Sequence, residues 1–497
     1  MESVFCEQFQ GGLENRRSFV SRFHTASGVS VHSVLRYAVF NVKRFAPNGK
    51  FFVCRGNMDF PSLSDDNALP ESRKKSGMDT FDLIVIGGGP AGMFAAGHAS
   101  LAGARVLLLE KNRRCGAKIL ITGKGRCNVT NNEPDVRKFS GHFGSGGKAL
   151  LTALYAHGVQ DIIDFFTRRG LPLTVERGER VFPTRGDARD VQKLLESFLV
   201  EAGVAVRCSC EVRRLVRDGS SIAAVETPSG IFRGRCVLVT TGGLSYRETG
   251  CTGDGYRWAR ELGHEVVEPE PALTAIRLAE TWTGEVSDLN LRNVELRLMQ
   301  EGKLLEQRFG EVFFTRNGIG GPIVLDLSNR TRLALKDGGV SLVLDLKPAV
   351  DPSLFDKRLQ RELTAHANKD FRNALGGLLP KALIPLFIKL SEIDPEKKCH
   401  SVTREERLRL LKLFKELRLQ VTGCDGFGKA IITRGGIDLK QIDMRTMRSK
   451  LVDNLYFAGE VLDLDGPTGG FNLQVCWSTG YLAGVSAAAR VQDGTEK

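Results

Sequence analysis

The sequence predicts an α/β fold interrupted by an inserted β-rich domain, and three observations predict it. Near residue 80 a short apolar run enters a glycine turn, a small-residue helix and a second apolar run. After residue 454 another apolar run ends in glycine and leads into a long small-residue helix. Between about 273 and 420 the hydrophobic spacing becomes alternating and then helical.

The first unit is read residue by residue. Residues 81–86 (FDLIVI) are apolar and β-branched, as in a buried strand. They run into Gly87-Gly88-Gly89-Pro90-Ala91-Gly92, which fits G-x-G-x-x-G. A helix follows over about 91–102, and a second strand over 104–109 ends at Glu110. Gly87 permits the tight turn, Gly89 lets the backbone approach a pyrophosphate, and Gly92 lets the helix pack on the strand. Free N–H groups and the helix dipole then face the phosphates. Glu110 is placed for the hydroxyls of an adenosine ribose, with Lys111 beside it. The domain is therefore Rossmann-like, over residues 78–272 and 421–497.

The fingerprint alone does not choose between FAD and a nicotinamide dinucleotide. Three later segments favour FAD. The loop 116–131 (GAKILITGKGRCNVTN) is dense in short polar side chains and backbone donors suited to a ribityl chain and pyrophosphate, with Gly123, Arg126, Cys127 and Asn128 as candidate contacts. A strand over 236–238 ends in Thr240-Thr241-Gly242-Gly243, placed to return beneath the cofactor. A last strand, 455–458, ends in Gly459-Glu460, and a glycine loop through Gly470 opens a helix near Phe471, Asn472 and Leu473. In flavoproteins of the two-dinucleotide-binding type, that acid binds a ribityl hydroxyl and that helix N-terminus faces the flavin pyrimidine edge, where negative charge develops on reduction.

With these segments in view, the chain resembles the aminoacetone-oxidase-like FAD-binding family, also called the YhiN/BaiN type. The resemblance rests on GGGPAG (87–92), TGKGRCNVTN (122–131), ERGERVFP (176–183), TTGGLSYRETGCTGDGY (240–256), ITRGGIDLKQID (432–443) and LYFAGEVLDLDGPTGGFNLQ (455–474), and runs from about residue 81 to the end. One departure is Arg247 after Tyr246, where the family pattern has proline. The resemblance implies non-covalent FAD on a discontinuous Rossmann-like domain, a β-barrel-like domain inserted over 273–420 and a small helical insert over about 352–418. It also implies oxidoreductase chemistry on substrates as different as a small amino-ketone and conjugated bile-acid-type molecules, so it does not fix a substrate.

The residues of the insert agree with that outline. VELRL (294–298) and EVFFT (311–315) alternate, Asn317-Gly318 is a turn signal, and 341–346 reads as a strand. Helical spacing then covers 352–366, 371–379 and 403–417.

Composition sets bounds on partners. The net charge is +12 with no basic run interleaved with aromatics, so nucleic acid is not the expected partner and a small-molecule substrate is. No apolar run approaches the roughly 18–20 residues of a membrane span. Residues 1–77 form an extension; residues 1–58 hold eight Lys/Arg, only three acids and recurring Ser, the composition of an organellar transit peptide for plastid or mitochondrion. Without such a leader the expectation is the cytoplasm. Eleven cysteines at irregular spacings suit free thiols in a reducing compartment.

Several weaker signals read as structure. Gly144–Lys148 lacks the residues of a phosphate-binding P-loop, since His142 and Ala149 stand where Gly and Ser/Thr belong. Cys115 and Cys127 are too far apart in sequence for a disulfide-reductase pair, and Cys208 and Cys210 read as one face of a strand. No histidine falls in the six motifs, no second G-x-G-x-x-G appears, and no metal set or catalytic acid or base stands out. NADH or NADPH would therefore dock only transiently. The leading reading is an FAD-dependent oxidoreductase moving a hydride between flavin N5 and a small organic substrate. The alternatives are an RNA-modifying flavoprotein and a non-catalytic flavin redox sensor; a basic surface beside the flavin cleft would favour the first of these.

Residues 78–497 alone are expected to fold and to purify yellow with FAD. An insoluble or colourless product would show that the extension is needed.

Overall fold

The computed structural model describes residues 80–287 and 289–493. The acid-poor leader read as a transit peptide lies outside the described residues. The expected architecture is present: a Rossmann-like α/β unit carries a closed six-stranded antiparallel barrel and a group of helices.

The strand Thr80–Ile86 lies at the centre of a nine-stranded mixed sheet, with Leu83, Ile84 and Val85 fully buried. It pairs in parallel with Val106–Leu109 on one side and Gly230–Val239 on the other. Such an arrangement leaves a crevice at the carboxyl ends of the strands, where the order reverses. Leu455–Phe457 adds in parallel outside Gly230–Val239, so the C-terminal segment completes the same sheet.

Two helices are packed backbone to backbone behind that crevice. Pro90–Leu101 starts with proline at its first turn and is apolar nearly all round, as a fully covered helix must be. Phe471–Asp493 lies along it. A side chain at Gly480 would meet the Ala91 carbonyl at 2.5 Å, and one at Gly484 would overlap the Ala95 carbonyl. The matched four-residue steps make the helices parallel. Their N-termini therefore point the same way, and the C-terminal helix begins about eight residues, or roughly 12 Å, further out.

The barrel closes through Ile276–Leu278, Gly318–Gly320, Lys303–Thr315, Asn290–Gln300, Val340–Asp345 and Leu417–Cys424. Alternate residues Val294, Leu296 and Leu298 face its core. The hairpin expected at Asn317-Gly318 turns one residue earlier, on Arg316-Asn317; Thr315 pairs with Gly318, where a side chain would overlap the Ile276 carbonyl. Residues 371–379 do not form the expected helix. Gly376, Gly377 and Pro380 limit the segment to a 3-10 turn at Phe371–Asn373, although Phe371, Leu375 and Leu378 are buried. Pro352–Ala365 and Arg404–Lys415 are helical, the second capped reciprocally by Thr403 and Glu406. That helix stops at Lys415, and Leu417 already belongs to a barrel strand.

A half-buried histidine sits where the first helix meets its neighbours. His98 packs against Phe94 at 4.5 Å, Tyr481 at 4.9 Å and Phe198 at 5.1 Å. Burial first, then His157 and Arg169, push its pKa down to about 3. The folded state thus takes up a proton on His98 less readily than the unfolded chain. Its stabilising contribution is complete above the ordinary value of 6.5 and is lost as pH falls from there toward about 3. His98→Phe is expected to reduce the stability lost between pH 7 and pH 4.5 by roughly 2–3 kcal/mol, measured by denaturant unfolding at both values. An unchanged pH dependence would remove His98 from this role.

Candidate cofactor and substrate cleft

A cleft of about 870 Å³ opens at the carboxyl ends of the central strands and continues to the barrel. At its inner end Glu110 is 7% exposed and pinned by two backbone donors, Gly88 N–H at 2.7 Å and Asn112 N–H at 2.8 Å. Both carboxylate oxygens keep lone pairs for a diol. Gly87 turns at φ +107°, and a side chain there would lie 2.6 Å from the Thr240 carbonyl. A side chain at Gly92 would overlap the Gly87 carbonyl. Gly89 differs: its nearest neighbour would be the Thr240 carbonyl at 4.0 Å, so its open face belongs to the cleft.

The middle of the cleft is built from segments distant in sequence. Lys118 donates to Glu460 at 2.7 and 3.0 Å and to Ser245 Oγ at 2.7 Å. Glu460 also accepts from the Thr433 N–H at 2.9 Å and from Ser245 at 3.2 Å. Burial pushes the Lys118 ammonium down, but the Glu460 carboxylate outweighs it and holds the lysine above its ordinary range. The cation therefore persists on the cleft wall. The loop 116–131 folds as a broken 3-10 turn, with Gly123, Lys124 and Cys127 at φ between 56° and 59°. Asn128 Oδ1 and Thr241 Oγ1 are buried on the cleft wall with no hydrogen-bond partner in the protein. Orphaned polar atoms of this kind demand a ligand or water. A dinucleotide with a polyhydroxyl linker fits these residues: Glu110 would accept from a diol, Gly89 and Pro90 leave room for phosphates, and Asn128, Thr241 and Glu460 would pair with hydroxyls.

The sequence-derived residues divide between the wall and its backing. Gly87, Gly89, Pro90, Ala91, Glu110 and Lys111 line the inner end; Lys111 is held by Asp254 at 2.8 Å. Gly123, Asn128, Thr241, Gly242 and Glu460 line the middle, Arg126 stands at the mouth, and Gly470, Asn472 and Leu473 line the outer part beneath the C-terminal helix. Gly92, Cys127, Gly243, Gly459 and Phe471 are not on the wall. Gly243 gives room to Thr433, Gly459 donates to Thr479 at 3.0 Å, and Phe471 packs against Phe139 at 4.8 Å. Cys127 is fully buried, and burial pushes its thiol up to about 12, so it carries no thiolate at neutral pH. Tyr246 lines the cleft at φ 53°, and Arg247 opens the short 3-10 turn after it. Cys208 and Cys210 do not share a strand face. The strand Ala205–Arg207 ends first, and Ser209 at φ 52° turns the chain between them.

Sequence reasoning missed Lys118 and Ser245. Lys118 stood inside a quoted loop, but its partner lies 342 residues away, and no spacing rule reaches that far. It also missed the mouth of the cleft. Arg126 is half exposed there, stacked 4.4 Å over Phe182 and paired with Glu176 at 2.6 Å. Lys124 lies 5.1 Å over Phe313 of the barrel. Arg180 lines the same wall, Arg177 reaches Asn293 at 3.2 Å, and Arg292 approaches Glu311 at 3.8 Å. The sequence has no basic run interleaved with aromatics, yet the fold brings cations and aromatic rings to one opening. The patch has no counterpart as a run because it is gathered from four separate segments.

Gly89→Val tests the placement of the cofactor. Its side chain meets no protein atom closely and fills only the cleft, so the variant is expected to fold and to purify colourless. Stoichiometric FAD in that variant would move the pyrophosphate elsewhere.

Residues 81–486 match the family model described as the HI0933-like protein Rossmann domain. The chain is 30% identical over 409 residues to the 3-dehydro-bile acid delta(4,6)-reductase of Clostridium scindens, covering 82% of this chain and 98% of that protein. It is 29% identical over 409 residues to the ribosomal RNA dihydrouridine synthase of Escherichia coli, covering 81% and 97%. Among solved structures, the open conformation of a flavocytochrome c3 fumarate reductase superposes with a TM-score of 0.45 at 19% identity, covering 86% of this chain and 85% of that one. Together with the cleft geometry, the family match makes this chain a member of the HI0933-like (YhiN/BaiN) family of FAD-dependent Rossmann oxidoreductases.

Proposed function

We propose that this protein is a flavin-dependent reductase that saturates an electron-poor carbon–carbon double bond in a ring, and that the ring is a uracil presented by RNA. The two curated relatives are named for reactions of this kind, one on a bile acid and one on ribosomal RNA. The observation that carries the RNA reading is the mouth of the cleft. Lys124, Arg126 and Arg180 line it with Phe182, Phe313 and the carboxylates Glu176 and Glu311, and Arg177 and Arg292 approach Glu311 from outside at 4.0 and 3.8 Å. Guanidinium groups and aromatic faces at one opening suit a phosphate backbone and a splayed base.

FAD supplies the hydride at N5, with NADPH or NADH as the transient reductant. The chain's own residues bind, orient and exclude water. With FAD bound, Glu110 would hold the adenosine diol, the first helix N-terminus would face the phosphates, and the Lys118–Glu460 pair would hold the middle of the cofactor. The N-terminus of the helix Phe471–Asp493 supplies positive potential where negative charge develops. Leu273, Pro322 and Leu325 make the barrel-side ceiling apolar, which favours a planar ring. The same ceiling supports the second reading, a small apolar enone.

An anaerobic titration separates these readings. NADPH or NADH is expected to bleach the visible flavin band, and uracil-containing RNA to restore it. The double variant Lys124→Glu with Arg292→Glu is expected to slow restoration by RNA at least tenfold and to leave bleaching unchanged, since each phosphate contact is worth about one unit of salt slope. Restoration by a small enone but not by RNA would establish the second reading. Absence of bleaching by either nicotinamide would overturn the reductase.

A further inference from the structure

Two cysteines that the sequence does not pair meet beside the adenosine end of the cleft. Cys208 follows the strand Ala205–Arg207, and its thiol lies beside that of Cys115, 93 positions earlier. Cys208 is partly exposed and Cys115 is buried, and both are free thiols. The two segments are tied together by backbone bonds from Ser209 N–H to the Asn112 carbonyl at 2.8 Å and from Cys210 N–H to the Glu110 carbonyl at 2.9 Å. Cys115 is tied equally closely to the glycine turn. Gly116 N–H donates to the Gly88 carbonyl at 2.7 Å, and a side chain at Gly88 would lie 2.5 Å from Cys115 Sγ. Gln192 donates to the Cys115 carbonyl from behind.

We propose that Cys208 and Cys115 form a peroxide-responsive dithiol whose oxidation to a disulfide loosens the adenosine end of the FAD site. The accessible Cys208 thiolate attacks hydrogen peroxide, becomes a sulfenic acid and releases hydroxide, which takes up the proton that the thiol gave. The Cys115 sulfur then attacks Cys208 Sγ; the S–S bond forms, the S–O bond breaks, and the Cys115 proton leaves with the oxygen as water. The sum is two thiols and one peroxide giving one disulfide and two waters, so both sulfurs are oxidised and the peroxide is reduced.

The roles follow from the surroundings. The hydrogen bond from Cys115 holds Cys208 below the usual thiol range, against burial and the Glu110 and Glu196 carboxylates. The same bond, then burial, pushes Cys115 up, so it remains the protonated partner. The exposed sulfur is thus the nucleophile and the buried one resolves it. A disulfide holds its sulfurs about 2.05 Å apart, well inside a thiol–thiol hydrogen bond, so closure must draw Cys115 toward Cys208. Gly116 carries that shift to Gly88, whose N–H orients Glu110.

The test uses the yellow full-length protein treated with hydrogen peroxide. A non-reducing peptide map is expected to contain a peptide joining Cys115 to Cys208 with the mass of two hydrogens lost. Flavin fluorescence in the filtrate is expected to rise as affinity drops about tenfold, and dithiothreitol to restore binding. Cys208→Ser should hold FAD as the untreated protein does and resist peroxide, which also shows that it folds. Cys115→Ser should stop at a sulfenic acid that dimedone traps on Cys208. A map without the joined peptide, or one joining Cys208 to Cys210, overturns the pair. A joined peptide with flavin fully retained overturns its effect on the cofactor.

Discussion

The close approach of two parallel helices is the constraint on which the rest of the structure depends. Pro90–Leu101 and the C-terminal helix touch through backbone, because Gly480 and Gly484 leave no side chain between them. That contact aims both N-termini at one cleft and staggers them. Two concentrations of positive potential result, one suited to phosphates and one further along suited to a reducible ring. Any side chain larger than hydrogen at these glycines would separate the helices and lose the registration.

Within that frame, the cleft is assembled from mutually dependent polar groups. Glu110 takes its orientation from Gly88 and Asn112, and Glu460 from Lys118, Ser245 and Thr433. A largely desolvated ion pair such as Lys118–Glu460 contributes little net stability, because desolvation offsets most of the attraction; its worth lies in fixing a position. The atoms left over, on Asn128 and Thr241, mark where a ligand completes the network. Local strain sits in the same region, with Lys124, Cys127 and Tyr246 held at positive φ around the cleft.

The barrel adds what a dinucleotide domain lacks. Its strands contribute Arg292 and Phe313 to the mouth, and the segments flanking them, through Leu273, Pro322 and Leu325, roof the outer cleft with apolar side chains. Lys124 over Phe313, and Arg177 against Asn293 and Glu311, are contacts between the cofactor-binding unit and the insert. The mouth of the cleft is therefore set by residues that touch one another across the two parts of the fold.

Much of the fold was legible in the sequence because its determinants are local. The strand of residues 81–86, the turn Gly87–Gly92 and the acid Glu110 lie within thirty positions, and turn chemistry, strand period and helix caps act over that range. The same holds for the alternation of the barrel strands and the capping box at Thr403. Where local signals competed, the reading slipped: Gly376 and Gly377 broke an apolar segment that otherwise had helical spacing, and Ser209 turned the chain between two cysteines assigned to one face. What only the tertiary structure decided are the long-range pairs: Lys118 with Glu460, Cys115 with Cys208, and the mouth gathered from separate segments. A sequence specifies such contacts through the packing of the whole core, and no periodicity records them, since distance along the chain carries no information about charges that meet only after the sheet and barrel have closed.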